Sequence, residues 1–178
     1  LWLDAEAPAS AGGSGVWELR NFNGPAYGKR WGARTDLRKR VVTAGEPLPA
    51  PLADLAARFR DVDELAAWPG PNEANALDYR KEEGHFISAH CDDRVLSGDV
   101  LVNLSLAGDA LMSFTHDKDP TRATERVLLR RRSLQIQVRD VRYNWQHAIH
   151  NSDLGGPRRV SITFRRAKVP VAGGGLRS

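Results

Sequence analysis

The second half of the chain alternates apolar and polar positions in short runs that are separated by turn residues. Such alternation over four to eight residues is typical of β-strands that have one face buried. Regularly spaced short strands after an early helix favour a sandwich or jelly roll over alternating βαβ units. The pattern therefore predicts a mainly β (α+β) fold, a sandwich or a jelly roll. Its eight predicted strands cover residues 74–79, 85–89, 100–106, 110–114, 126–130, 134–138, 143–149 and 159–165.

The first half of the chain has weaker periodicity. Residues 17–22 predict a short strand, and residues 23–50 hold Gly, Pro and charge without a period, which predicts a long functional loop. From Pro51 onward, apolar residues recur at helical spacing, and a proline suits the first turn of a helix. We therefore expect one supporting helix, which continues or restarts through residues 63–68.

Length and composition fit one domain. A chain of 178 residues can bury roughly 70% of the surface that its unfolded state exposes. Glycine, serine and proline are frequent in residues 5–15. We therefore predict a flexible lead over 1–15, a single domain over 16–170 and a flexible tail over 171–178. No apolar run approaches the roughly 20 residues that cross a bilayer. We accordingly expect an intracellular, soluble monomer without a membrane partner, nuclear or cytoplasmic, with an organelle left open.

The net charge of +4 is distributed unevenly. Basic residues concentrate in residues 29–40 and again in residues 118–142. Basic patches attract polyanions such as nucleic acid. The alternative is a set of solvated strand faces and loops, and the charge pattern alone leaves both open.

Three residues in the second half could hold a metal ion. His90 and Asp92 stand two apart in His90-Cys-Asp92, and His147 follows later on a predicted strand. Two imidazoles and one carboxylate on one face of a metal suit non-haem Fe(II) that must also bind a co-substrate and dioxygen. A core histidine satisfied by a hydroxyl or carbonyl group is the other interpretation of His147. By strand parity His147 shares its face with Tyr143, Trp145 and Ile149.

The triplet, the distal histidine and the strand Arg159-Val-Ser161-Ile-Thr163-Phe-Arg165 together resemble the AlkB-like family of Fe(II)/2-oxoglutarate-dependent dioxygenases. The sequence His90-Cys-Asp-Asp93 is similar to the pattern of the eukaryotic-type branch of this family. The substrates of that branch are less uniform than those of the bacterial nucleic-acid repair enzymes. The resemblance implies a double-stranded β-helix of jelly-roll type with an N-terminal supporting helix. It also implies that His90, Asp92 and His147 are the catalytic Fe(II) ligands.

The resemblance further implies a binding site for 2-oxoglutarate, which reacts with O2. It assigns Arg159 to the distal C5 carboxylate and Arg165 to the C1 carboxylate, with Ser161 and Thr163 as hydrogen-bonding groups between them. Alternation alone would put these arginines in water, but a guanidinium can be buried when an anion matches it. Tyr79, upstream of the metal-binding triplet, is a further candidate contact to 2-oxoglutarate, and an ordinary core or rim tyrosine is the alternative.

Candidate substrate contacts come from the segment around residues 24–32. A base could stack on Tyr27 or Trp31 while Lys29 and Arg30 meet phosphates. The alternative is a packed loop with aromatic anchors. Asp93 follows the ligand Asp92, and it either orients a substrate or pairs with an arginine such as Arg94.

The leading functional hypothesis is oxidative demethylation of methylated RNA or DNA at N-linked methyl groups. The main alternative is a demethylase or hydroxylase that acts on a protein side chain. A catalytically silent binding module is a remote alternative, since all three presumed ligands and both arginines are present.

Overall fold

The computed structural model describes residues 2–4 and 16–170. Within these ranges the chain forms twelve strands and two α-helices. In chain order they are β1 (Glu18–Arg20), β2 (Ala26–Gly32), β3 (Arg34–Asp36), β4 (Val41–Thr43), α1 (Ala50–Ala57), β5 (Glu73–Arg80), β6 (Ile87–His90), β7 (Ser97–Ala107), β8 (Ala110–His116), β9 (Glu125–Leu129), β10 (Leu134–Gln137), α2 (Arg139–Asn144), β11 (Trp145–Ile149) and β12 (Arg158–Ala167). Two 3₁₀ turns, Arg58–Asp61 and Asp63–Leu65, extend the helical region after α1.

Two antiparallel sheets build the domain. The larger sheet has the order β1-β2-β5-β12-β7-β10, and the smaller has the order β6-β11-β8-β9. The chain passes repeatedly from one sheet to the other, since β5 is followed by β6, β7 by β8 and β9 by β10. This arrangement confirms the predicted mainly β jelly roll. Each of the eight predicted strands corresponds to an observed one.

The outer face of the larger sheet is apolar and covered by the helical region. Ala74 and Ala76 of β5 lie beside Val160, Ile162 and Phe164 of β12, and all five are buried in one core cluster. Leu52 of α1 and Phe59 and Leu65 of the 3₁₀ turns pack onto this cluster. The helix therefore supports the sheet from outside and leaves the inner face free to form a site.

The start of α1 follows from its prolines. Pro49 is extended, with φ −59° and ψ 150°, and its carbonyl oxygen accepts hydrogen bonds from the backbone N–H groups of Leu52 and Ala53. Pro51 occupies the first turn, where its missing N–H costs no helical hydrogen bond. No helix in the described part of the chain is both long enough and apolar enough to span a membrane.

The prediction of a loop over residues 23–50 is wrong. This region contains β2, which pairs with β5 along six residues, and the β3–β4 hairpin. Glycines and cations in β2 hide its alternation. Gly32 has φ +80°, and a Cβ there would lie 2.0 Å from the Asn72 carbonyl oxygen, so the end of this strand requires glycine.

Two further expectations concern Tyr143 and the two ends of the chain. Tyr143 was expected on the same strand as His147, but it lies in α2 and β11 begins only at Trp145. The predicted lead over 1–15 is described only at residues 2–4, where Leu3 is buried against the core. Residues 5–15 and the predicted tail 171–178 lie outside the described residues.

Candidate metal centre and adjoining cavities

The two sheets bring three potential ligands together. His90 ends β6 and lies directly opposite His147 of β11 in the antiparallel register, with their ring centroids 4.3 Å apart. Asp92 follows immediately in the β6–β7 connection. One ligand atom from each of the three side chains lies within 4.8 Å of the others.

Hydrogen bonds orient the ligand atoms. Nδ1 of His90 lies 2.8 Å from the Ser88 carbonyl oxygen, which fixes the proton on Nδ1 and leaves Nε2 free to bind a metal. Asp92 receives two hydrogen bonds from Arg165 on Oδ2, at 2.8 and 3.2 Å. Its Oδ1 faces Nε2 of His90 at 3.6 Å. One nitrogen and one oxygen are therefore directed at the same point.

The protonation states suit metal binding. Burial of Asp92 would raise its pKa, but Arg165 and the two imidazoles outweigh burial and hold that pKa well below its usual range. Burial lowers the pKa of His147 to about 4, although Asp92 opposes the shift. The carboxylate is thus ionised and the buried imidazole is neutral near neutral pH. Two imidazoles and one carboxylate on one side of a point are the ligand set of non-haem Fe(II) sites, so these residues fit that metal.

Arg142 was not predicted from the sequence, and it holds the ligand segment in place. Its guanidinium is 1% exposed and donates to the carbonyl oxygens of Asp92, Asp93 and Gly98, at 3.1, 2.5 and 3.3 Å. These bonds fix the backbone that carries Asp92. The basic stretch around Arg142 gave no signal that this member points inward, because only the turn into α2 aims it there.

An inner cavity of about 50 Å³ lies between the sheets beside the triad, and His147, Tyr79, Arg159 and Ser161 line it. Arg159 is 1% exposed and donates to Ser161 Oγ at 2.8 Å. Its remaining hydrogen bonds, at 3.4 Å each, go to Asn103 Oδ1 and Ser105 Oγ. All these partners are neutral, and burial lowers the pKa of Arg159.

Arg159 is therefore a buried cation without a carboxylate partner among the described residues, and its Nε has no hydrogen-bond acceptor. Burying an unmatched charge is costly. An anionic ligand in the inner cavity would supply the missing partner. Tyr79 lies beneath this guanidinium, with its ring centroid 5.7 Å from the Arg159 Cζ, and burial raises the pKa of its phenol to about 12.

Arg165 and Thr163 each bind a neighbouring side chain in the structure. The Arg165 guanidinium binds Asp92 and so helps to orient this candidate metal ligand, in addition to lining the inner cavity. Thr163 Oγ1 accepts a hydrogen bond of 2.8 Å from Asn103. Asn103 thereby connects Thr163 with Arg159, and it is another cavity residue that sequence reasoning missed.

A second, outer cavity of about 150 Å³ meets the inner one at His90, Asp92 and Arg165. It opens between the larger sheet and the β3–β4 hairpin. Arg30 belongs to its lining, as do Glu73 and Asn75 on the inner face of β5. Phe22, 62% exposed, stands at its mouth. The sequence did not single out Phe22, Glu73 or Asn75.

Three predicted substrate contacts lie on the opposite face of the sheet. Trp31 is 1% exposed, packs in the core cluster and contacts Trp2, so it offers no surface to a base. Lys29 is 2% exposed and donates to the Leu3 carbonyl oxygen at 2.8 Å. Tyr27 donates to Glu83 at 2.8 Å. These three were expected beside Arg30, but alternation in β2 directs them away from the triad.

Asp93 has a structural partner, and it differs from the expected one. It pairs with Arg40 of the β3–β4 connection, whereas Arg94 binds Asp117. Asp93 Oδ1 also accepts from the backbone N–H groups of Val95 and Leu96. Burial would raise the Asp93 pKa, but these bonds and Arg40 lower it. Asp93 therefore ties the hairpin to the segment that carries Asp92.

Comparisons with known proteins show which proteins the chain resembles. No protein-family model matches the chain. The mouse protein named tRNA (carboxymethyluridine(34)-5-O)-methyltransferase ALKBH8 is 30% identical over 123 residues, which are 68% of this chain and 18% of that protein. Human alpha-ketoglutarate-dependent dioxygenase alkB homolog 4 is 29% identical over 147 residues, covering 64% of this chain and 48% of the relative. A DNA N6-methyl adenine demethylase from Caenorhabditis elegans is 29% identical over 115 residues, covering 65% of this chain and 38% of the relative.

The chain thus spans less than half the length of each of these three relatives. The solved structure of OsALKBH1 shares the fold, with a TM-score of 0.57 at 15% identity over 85% of this chain and 82% of that one. The resemblance predicted from the motifs is confirmed.

Proposed function

The chain belongs to the AlkB-like family, and from this premise we propose that it is an Fe(II)- and 2-oxoglutarate-dependent dioxygenase that removes N-linked methyl groups oxidatively, with nucleic acid as its substrate. His90, Asp92 and His147 would hold the metal ion. When bound, the metal and 2-oxoglutarate supply the activation of O2 that oxidises a substrate C–H bond. Hydroxylation of a methyl group on nitrogen gives a product that releases formaldehyde.

The single observation that supports the co-substrate best is Arg159. A guanidinium that is 1% exposed and has only neutral partners needs an anion, and it lies in the cavity that contains His147. A dicarboxylate could place one carboxylate on Arg159 while its other end reaches the metal. Arginine binds a carboxylate through two parallel hydrogen bonds, which fixes orientation as well as position.

The remaining residues would organise this reaction without taking part in bond changes. Arg165 and Arg142 hold Asp92 from its side chain and its backbone, respectively. Ser161 and Asn103 keep the Arg159 fork in place. The inner cavity lies between the sheets and meets the outer cavity at His90, Asp92 and Arg165, so a substrate in the outer cavity would shield the co-substrate from water.

Nucleic acid as the substrate is supported by the rim of the outer cavity. Arg20 and Arg30 line it, and Lys39 on the adjoining hairpin has an 81% exposed side chain. An exposed aromatic, Phe22, stands at the same mouth, where a base could stack. Two of the relatives have names that refer to tRNA or DNA.

A second candidate is demethylation of a protein side chain. It is favoured by Glu73, a carboxylate that is 7% exposed in the outer cavity and could attract a methylated ammonium group. The complete ligand set argues against a silent binding module.

The test is a turnover assay with the Fe(II)-loaded protein, 2-oxoglutarate and O2 on panels of methylated oligonucleotides and methylated peptides. We expect succinate, formaldehyde and a loss of 14 mass units per methyl group from an oligonucleotide, and none of these from the His147→Ala variant. Demethylation of peptides alone would replace the nucleic-acid proposal with the protein one. Lack of 2-oxoglutarate consumption with every substrate would refute both.

A further inference from the structure

Asn75 and Glu73 form a polar pair on the wall of the outer cavity. Both lie on the inner face of β5, where Asn75 is flanked by Thr163 and Arg30 and Glu73 is flanked by Arg165. Arg165 in turn contacts the ligand Asp92. The pair is therefore one side chain removed from the metal ligands, on the side away from Arg159.

Glu73 determines which way the Asn75 amide points. The Asn75 Nδ2 donates to Glu73 Oε1 at 2.8 Å, and the Thr35 hydroxyl contacts the other carboxylate oxygen at 3.4 Å. An ionised carboxylate can only accept hydrogen bonds, so it binds the NH2 group and rejects the carbonyl oxygen of the amide. The amide cannot turn over, and Oδ1 is held on the opposite side.

The Asn75 Oδ1 has no hydrogen-bond donor among the described residues, although the atom is buried. Buried polar atoms are nearly always paired, and an exception calls for an explanation. Here the unpaired atom belongs to a residue that lines the cavity next to the metal ligands. A ligand that brings an N–H group would pair it.

We propose that Asn75 is a specificity-determining residue whose fixed acceptor selects methylated bases that carry an N–H group at or beside the methylated nitrogen, with Glu73 as its positioning residue. This inference rests on the proposed function. It predicts that a base with a single methyl on its exocyclic amine is preferred over the dimethylated base, which has no N–H to donate. It likewise predicts preference for an amino group over a carbonyl oxygen beside a methylated ring nitrogen.

The test compares two matched pairs of oligonucleotides: N6-methyladenine with N6,N6-dimethyladenine, and 3-methylcytosine with 3-methyluracil. For each pair that is turned over, the ratio of the kcat/KM values is measured. We expect the wild type to favour the N–H-bearing member by about tenfold or more, since a site that pairs a buried polar atom rejects an analogue lacking the partner. Asn75→Leu, similar in shape but without an acceptor, should bring the ratio towards one.

Two variants sharpen the result. Glu73→Gln should also lower the ratio, because a carboxamide can donate and no longer fixes the amide. Asn144→Leu is the matched control, since Asn144 binds Asp140 through the same kind of amide–carboxylate contact but lines neither cavity. Its ratio should equal that of the wild type.

A folding defect lowers the rates on both members of a pair and leaves their ratio unchanged. Equilibrium binding of the same oligonucleotides gives the relative affinity for the two members of a pair, a second measure of selectivity that does not require turnover. An unchanged ratio and unchanged relative affinity in Asn75→Leu would overturn the inference while the proposed function stands. Lack of turnover of every oligonucleotide by the wild type would overturn the proposed function and this inference with it.

Discussion

Replacing Arg159 by methionine separates a cation that stabilises the fold from one that exists to bind a ligand. The wild-type guanidinium is almost completely buried and has only neutral partners. Most removals of a buried charged residue leave a charged partner behind and destabilise strongly. Removal of Arg159 leaves no such partner among the described residues. We therefore expect the ligand-free Arg159→Met variant to be as stable as the wild type, or more stable.

The effect on 2-oxoglutarate should be large. Losing one member of a buried, hydrogen-bonded ion pair costs about 3–5 kcal/mol, which weakens binding roughly 10²- to 10⁴-fold. At a concentration of 100 Kd, 2-oxoglutarate stabilises the wild type by about 2.7 kcal/mol, or roughly 5–10 °C in Tm. A hundredfold weaker variant gains only about 0.4 kcal/mol at that concentration, and its Tm rises by roughly 1 °C.

The assay is thermal unfolding with Mn(II), in the presence and absence of 2-oxoglutarate. Arg158→Met is the matched control, because Arg158 is adjacent on the same strand but points to the outer face, where it pairs with Asp4 and Asp78. This control should lower the ligand-free Tm and keep the full shift with 2-oxoglutarate. A full shift in Arg159→Met, or a ligand-free Tm well below that of the wild type, would refute the reasoning.

Three other outcomes are expected. His147→Ala should abolish stoichiometric iron binding, as measured by metal analysis. Cys91→Ser should retain it, because the Cys91 thiol contacts the Trp145 carbonyl oxygen and is not part of the candidate ligand set. Iron retained by His147→Ala would contradict the triad. Trp31→Ala should destabilise the protein by about 3–5 kcal/mol in denaturant unfolding, because it truncates a core residue. Arg30→Gln should lower stability much less and should flatten the salt dependence of oligonucleotide binding. The reverse pattern would restore Trp31 as a stacking residue. The metal-free protein should lose stability as pH falls from 6.5 to about 4. In that interval the unfolded state protonates His147, whereas the folded state does not, because folding lowers the His147 pKa to about 4. A pH profile of urea unfolding that is unaltered by His147→Gln would exclude this cause.

The sequence alone was enough to predict the fold class and to single out the three candidate ligands. Strand alternation persists wherever one face of a sheet is buried, so all eight strands of the second half were predictable. The candidate ligands His90 and Asp92 are close in sequence, and in the seven residues from Arg159 to Arg165 the polar side chains alternate with apolar ones. Local spacing was therefore enough to identify these residues, although not to show what they contact.

Tertiary structure decided the roles that depend on distant parts of the chain. Lys29, Arg30 and Trp31 are neighbours in sequence, but only Arg30 faces the triad, and this could not be predicted without recognising β2 as a strand. Arg142 is one cation among many in a basic stretch until the turn into α2 directs it at the Asp92 backbone. Asn75 is an ordinary strand residue until Glu73 fixes its amide. The alternation of polar and apolar residues along a strand indicates which face of the sheet a residue can occupy. The residues that it contacts are determined by the packing of the two sheets.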